Sequence, residues 1–169
     1  MDKSIKFWNR KAEQYAKQPI ADFDAYQNKL ELTRRYLTPS SSVLEFGCGT
    51  GSTALVHAAN VKRIVAIDSS EKMIEIATRK AQENGTNNVE FIEATLFDLP
   101  HHSESFDSIL SFNVLHLVND IDATIKKSYD LLKPGGVFVT STVCIAERSV
   151  ILKLILPIIS KLGIISAKN

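Results

Sequence analysis

Cysteine is nearly absent from this chain: Cys48 and Cys144 are the only two among 169 residues, and they form no CxxC or Cys/His spacing. A disulfide framework and a zinc site are therefore not expected, and a reducing compartment is the default. Charge of one sign is also lacking, since the formal net charge is +1, so no bulk field gathers nucleic acid or an anionic membrane. Lys3, Lys6, Arg10 and Lys11 make the N-terminus mildly basic, which reads as a solvated helix face. Residues Met1 to Arg10 hold no apolar h-region of a secretory signal. The most apolar stretch, Val150 to Ile165, is interrupted by Lys153, Pro157 and Lys161 and falls short of a membrane span. The expectation is a cytoplasmic domain with no nucleic-acid partner and no membrane span.

What is present is an ordinary globular balance, 44% hydrophobic and 23% charged, long enough for one domain with a real core. There are no repeats and no low-complexity linker. Helical spacing marks Phe7 to Tyr15 and Tyr26 to Leu37, the second ended by Thr38-Pro39-Ser40. Short apolar runs predict strands at Ser42–Phe46, Arg63–Asp68, Val89–Ile92, Phe106–Phe112 and Val137–Val143. Helices are predicted between them at Thr53–Asn60, after Ser69-Ser70 as far as Asn84-Gly85, and at Asp120–Leu132. That last helix is stopped by Lys133-Pro134-Gly135-Gly136, and a final helix is expected at Ser149–Leu162 with a kink at Pro157. Continuous rather than alternating apolarity, as in Ile64-Val65-Ala66-Ile67, means that both sheet faces are covered. The fold class expected is α/β, a doubly wound and mainly parallel sheet with helices on both faces. Ligands of such sheets bind beyond the carboxyl ends of the strands, where strand order reverses.

The first strand ends in Gly47-Cys48-Gly49-Thr50-Gly51. Three glycines on alternate positions allow close backbone approach and positive φ, more than a bare turn needs. The spacing is GxGxG rather than the dinucleotide pattern GxGxxG, and no GxxxxGK[ST] loop exists, so a pyrophosphate ligand is disfavoured. Asp68 ends the second strand, where a carboxylate can accept bonds from two adjacent ribose hydroxyls; a helix-capping role ahead of Ser69-Ser70 is the plainer alternative. Glycine loop and acid on neighbouring strands point to a nucleoside ligand.

Glu45-Phe46-Gly47-Cys48-Gly49-Thr50-Gly51, Val65-Ala66-Ile67-Asp68 and Leu132-Lys133-Pro134-Gly135-Gly136 resemble, in order and spacing, the motifs of class I methyltransferases dependent on S-adenosylmethionine (SAM). Val89-Glu90-Phe91-Ile92 through Asp98-Leu99-Pro100, and Ser105-Phe106-Asp107, resemble that family's third and fourth strand regions. The likeness covers nearly all of Phe7 to Val143 and is nearest to the small-molecule branch that includes ubiquinone/menaquinone-type methyltransferases.

The resemblance implies a Rossmann-like SAM domain at 41–169 with lid helices at 1–40, and SAM as cofactor, released as S-adenosylhomocysteine (SAH). It also implies two further edge strands that this sequence does not reach by Asn169. Gly47, Gly49 and Gly51 would pack against the methionine part of SAM, and Cys48 would fit within the loop. Glu45 would order that loop or face the amino group. Asp68 would hold the ribose, with Ser69 and Met73 nearby. Thr95 and Leu96 stand where the family often has Asp-Ala, so Thr95 would accept from the adenine amino group as a neutral, weaker partner. Ser111, Phe112 and Asn113 would border the methionine and the reacting sulfonium. Phe7, Trp8 and Tyr15 would belong to the lid, or simply to helix core.

A sulfonium-activated methyl needs mainly positioning and water exclusion. His116 is the candidate base should the acceptor need one, with packing or capping as its alternative. His101 and His102 read as exposed loop residues, and no metal is expected. The Asn/Asp-Pro-Pro-aromatic segment of amino-group methylating enzymes is replaced by Ser111-Phe112-Asn113-Val114, and no Pro-Cys nucleophile exists. The expected acceptor is therefore a small molecule, of a kind the sequence does not specify, as it does not specify oligomeric state. Two rivals remain: a non-catalytic SAM-binding domain serving as an assembly partner, and a nicotinamide-dependent oxidoreductase. GxGxG and the Lys-Pro-Gly-Gly turn count against the latter.

Overall fold

The computed structural model describes residues 3–99 and 104–142. At its centre two apolar runs lie side by side as strands β1 (Ser42–Phe46) and β2 (Arg63–Asp68), parallel and in register from Ser42↔Arg63 to Phe46↔Ile67. Strands β3 (Val89–Glu93), β4 (Phe106–Phe112) and β5 (Leu132–Ser141) complete an all-parallel sheet in the order β3-β2-β1-β4-β5. Strand order reverses between β1 and β4, so the crevice for a ligand lies beyond the carboxyl ends of those two strands.

The alternation of side chains across these strands makes two cores. On one face Val43, Ile64, Ala66 and Leu110 pack with Ala54 of α3 (Ser52–Ala58), and Ile74 of α4 (Glu71–Glu83) joins them. On the other face Leu44, Phe46, Ile67 and Ile109 pack with Leu131 of α5 (Ile121–Leu131). Each such fully buried aliphatic side chain contributes about 1.5–3 kcal/mol, so covering both faces is the main source of stability. Helix α1 (Lys3–Ala16) lies on α4 through Ala12, Met73 and Ile76, and α2 (Phe23–Arg34) touches α3.

Helix boundaries follow local chemistry. Asp22, Ser70 and Asp120 each accept a backbone N–H three residues on, which caps α2, α4 and α5. Ser70 rather than Asp68 is thus the cap of α4, which leaves the Asp68 carboxylate for other bonds. Gly85, at φ 65°, follows the end of α4 as the Asn84-Gly85 signal predicts.

The Lys-Pro-Gly-Gly segment behaves differently from its sequence reading. It was expected to lie between helix and strand, yet β5 begins at Leu132, which pairs with Phe106 before pairing resumes at Ser108↔Val137. The segment is a bulge inside the strand, opposite Asp107. A one-turn 3-10 helix at Leu115–Leu117 was also not foreseen. No helix among the described residues is long and apolar enough to cross a membrane. The helix expected at Ser149–Leu162, the end of the fifth strand at Val143, Cys144, and His101 with His102 lie outside the described residues.

Candidate functional site

The carboxyl ends of β1, β2 and β4 meet around the glycine loop. Cys48 N–H donates to the Ile67 carbonyl (3.0 Å) and Gly51 N–H to the Cys48 carbonyl (3.0 Å), which ties the loop to β2 and closes it on itself. Asp68 completes the tie. Its Oδ2 accepts from Gly49 N–H and its Oδ1 from Ser70 N–H, both at 2.9 Å. Each oxygen keeps a second lone pair, so the carboxylate is oriented without being used up. Burial raises the Asp68 pKa while the two backbone bonds pull it back.

The three glycines do not share one purpose. A side chain at Gly47 would overlap Val114, and one at Gly51 would meet the Phe91 ring at 2.7 Å and Ala77 at 2.8 Å. Those two positions are small because protein fills the space beside them. Only at Gly49 is the space open, bounded by a Tyr15 ring carbon at 3.9 Å. Tyr15 is the last link of an edge-to-face chain of rings, Phe7–Trp8–Tyr15, with centroids 5.3 and 5.9 Å apart. Its pKa is raised by burial and by the charge of Asp68.

Beneath the loop sits a polar cluster. Glu45 is 3% exposed, and its Oε2 has no hydrogen-bond partner. Burial pushes its pKa up to about 8, against the pull of Lys29 and with the repulsion of Asp68. Ser111, at the end of β4, is fully buried, and its Oγ is likewise unpartnered. The Lys29 ammonium rests 4.9 Å from the Tyr26 ring centroid and 4.5 Å from that of Phe112, so α2 reaches over the end of β4. Burial lowers the Lys29 pKa, and Glu45 raises it. The next residue, Asn113, is at φ 59°, and its N–H donates to the Ser141 carbonyl at 2.8 Å. The Cys48 thiol is buried, and its pKa is held well above the ordinary value, first by burial and then by Glu45 and Asp68. That environment suits a packed thiol, not a nucleophile.

The other expected positions lie on the segments around this cluster or within the core. Met73 is buried in the seam between α1 and α4, and Leu96 in the core that contains Leu44 and Phe46. Ser69 is half-buried beside the Ser70 cap. Thr95 is exposed, and its hydroxyl donates to Asp98 Oδ2 at 2.6 Å, which leaves its lone pairs as acceptors. His116 is exposed on the 3-10 turn after β4, and burial of its ring lowers its pKa. Among the described residues no group of three or more His, Cys, Asp or Glu could hold a metal ion.

Sequence reasoning passed over Lys29, Tyr26 and Asn9. Asn9 of α1 accepts from Ser70 Oγ (2.6 Å) and Lys72 N–H (3.3 Å), which pins the first helix to the start of α4. Polar residues on amphipathic helices carry no local mark of such long-range partners.

The description "Methyltransferase domain" fits residues 37–160. The chain belongs to the methyltransferase-domain family. It is similar to the uncharacterized methyltransferase YcgJ of Bacillus subtilis, 34% identical over 57% of this chain and 38% of that protein. It is also similar to the ubiquinone biosynthesis O-methyltransferase of Chelativorans, 35% identical over 60% of this chain and 40% of that protein. The chain thus spans about two fifths of the length of these curated relatives. Among solved structures, the DhpI–SAH complex superposes with a TM-score of 0.68 at 26% identity, covering 83% of this chain and 69% of DhpI. The fold expected from the sequence, a Rossmann-like parallel sheet with helices, is the fold of these proteins.

Proposed function

We propose that the chain binds SAM at the glycine loop and transfers its methyl group to a small-molecule acceptor in the cytoplasm. The observation that carries this reading is Asp68, fixed at the end of β2 by the Gly49 and Ser70 amides with lone pairs to spare beside an open Gly49. A carboxylate so held can take two ribose hydroxyls. The family match over residues 37–160 and the SAH-bound relative support the nucleoside as SAM. The fit is also supported by the buried, unpartnered atoms Glu45 Oε2 and Ser111 Oγ, which await polar partners.

Bound SAM supplies a methyl group already activated by its sulfonium charge. The chain's own task is placement. Glu45 and Ser111 supply acceptors below the loop, and a cationic ligand nearby favours the ionised form of Glu45. Thr95 accepts from the adenine amino group, since its proton is held by Asp98. The ring chain ending in Tyr15 borders the space at Gly49, where a lid formed by residues 1–40 would exclude water. His116, kept neutral by its lowered pKa, accepts the acceptor's proton where that proton must leave.

Relatives named for ubiquinone and menaquinone biosynthesis make a phenolic or quinol acceptor the first to try. The full chain is incubated with methyl-tritiated SAM and a demethylated quinol, and counts are followed into the organic extract. Transfer above a chain-free control supports the proposal. SAH binding with no transfer to phenols, quinols or amines would favour a non-catalytic SAM-binding domain instead.

A further inference from the structure

A second cleft, of about 330 Å³, opens between α2 and α3, away from the glycine loop. His57 of α3 lines it. That residue is only 1% exposed, and neither of its ring nitrogens has a hydrogen-bond partner. An imidazole buried without partners is costly, and its place in the lining of a cleft makes a ligand there one explanation. Arg34, Gln27 and Asn60 stand around the same opening, and none of their side chains makes a hydrogen bond within the described residues. The one lining carboxylate, Glu31, is instead paired with Arg35 at 3.6 Å.

Burial first, and then the charges of Lys29 and Arg34, push the His57 pKa down to about 4, so the ring is neutral at pH 7. A neutral imidazole has one N–H donor, and the Arg34 guanidinium on the same cleft supplies charged donors of the kind a carboxylate accepts. The remainder of the cleft is apolar, formed by Leu30 and Val56, and Val56 is 48% exposed. By contrast, a groove of about 360 Å³ on α4 is lined by Glu71, Glu75 and Glu93, and its one cation, Arg79, lies 3.8 Å from Glu13. Its three carboxylates disfavour an anionic ligand.

We infer that the α2–α3 cleft is a second binding site, for a small organic carboxylate whose apolar body lies on Leu30 and Val56 and whose anionic group meets Arg34 and His57. The site is distinct from the glycine loop, although α3 joins them, since Gly51 is the residue that precedes its first turn.

The test uses the full chain with labelled histidine side chains, whose ring signals are followed by NMR at pH 7. Benzoate is the probe, and benzamide, its neutral isostere, the control. Benzoate is expected to shift the His57 ring signals saturably, and benzamide to leave them in place. Arg34→Gln, a change at an exposed helix position, should weaken benzoate binding by roughly tenfold while SAH affinity stays as in the parent. Unmoved His57 signals, equal effects of the two probes, or benzoate affinity indifferent to Arg34→Gln would each overturn the assignment.

Discussion

The two ends of the same sheet treat their polar groups in opposite ways. At the amino end they are spent on one another. Asp107 accepts from Lys133 Nζ at 2.8 and 2.9 Å and from Ser42 N–H at 2.8 Å, while Asn88 donates to the carbonyls of Ala58 and Val61. At the carboxyl end Glu45 Oε2 and Ser111 Oγ are buried and unpartnered, and Asp68 holds lone pairs in reserve. Leaving a buried acceptor unsatisfied costs about 1–3 kcal/mol, so one end of the sheet carries a stability penalty that the other avoids. The contrast separates residues that build the sheet from residues that await a ligand, and it does so within motifs that look alike in the sequence. Ser105-Phe106-Asp107 and Leu132-Lys133-Pro134-Gly135-Gly136 are as motif-like as the glycine loop, yet Asp107 and Lys133 form a structural clamp at the far end.

The largest test of this contrast lies within the glycine loop itself. Gly51→Ala, at φ 73° against Phe91 and Ala77, should lose about 2–4 kcal/mol of unfolding free energy in a denaturant titration. Gly49→Ala should lose only about 1–2 kcal/mol, the left-handed backbone cost alone, while SAH affinity falls further than in Gly51→Ala. Equal stability losses would merge the packing and ligand glycines again. His116→Ala is expected to slow methyl transfer by roughly a hundredfold with SAH affinity intact, and unchanged turnover would return His116 to packing. Asp68→Ala should weaken SAH binding by about tenfold to a hundredfold in calorimetry; unaltered affinity in the folded variant removes the ribose assignment.

Smaller effects sharpen the comparison from the pH side. The Glu45 carboxyl is raised from the ordinary 4.5 to about 8 in the folded chain, so folding favours its protonated form. Its contribution to stability is complete below pH 4.5 and is lost as pH rises through 8. Glu45→Gln should therefore exceed the parent in stability above pH 8, by on the order of 1–2 kcal/mol, and converge with it near pH 4.5. A gap independent of pH would show that Glu45 is not the group responsible. Smallest of all, Lys133→Ala removes a half-exposed pair and should cost no more than about 1 kcal/mol, with SAH affinity unaffected. A loss of affinity there would break the division between the two ends.

Much of this was legible in the sequence because strand signals are local. Arg63–Asp68 and Phe106–Phe112 carry continuous apolar runs closed by turn residues, and both ends of each strand fall where those signals stop. The glycine loop and Asp68 were legible for the same reason, as fixed spacings on adjacent strands. The charge that acts on Glu45 was not, because Lys29 lies on α2, across a distance that no spacing records. Met73 and Leu96, expected near the ligand from the family resemblance, have side chains packed in the core, a burial that their place in the motifs does not announce. The Lys-Pro-Gly-Gly segment is a turn in local chemistry, and only pairing with β4 on both sides of it makes it a bulge.

The most direct measurement is calorimetric titration of the full chain with SAH, with NAD as the parallel ligand. Saturable SAH binding in the micromolar range, with no heat from NAD, is the result expected of an Asp68 carboxylate poised beside an open Gly49. Absence of SAH binding by the folded chain, or binding of NAD in its place, would contradict the account at its centre.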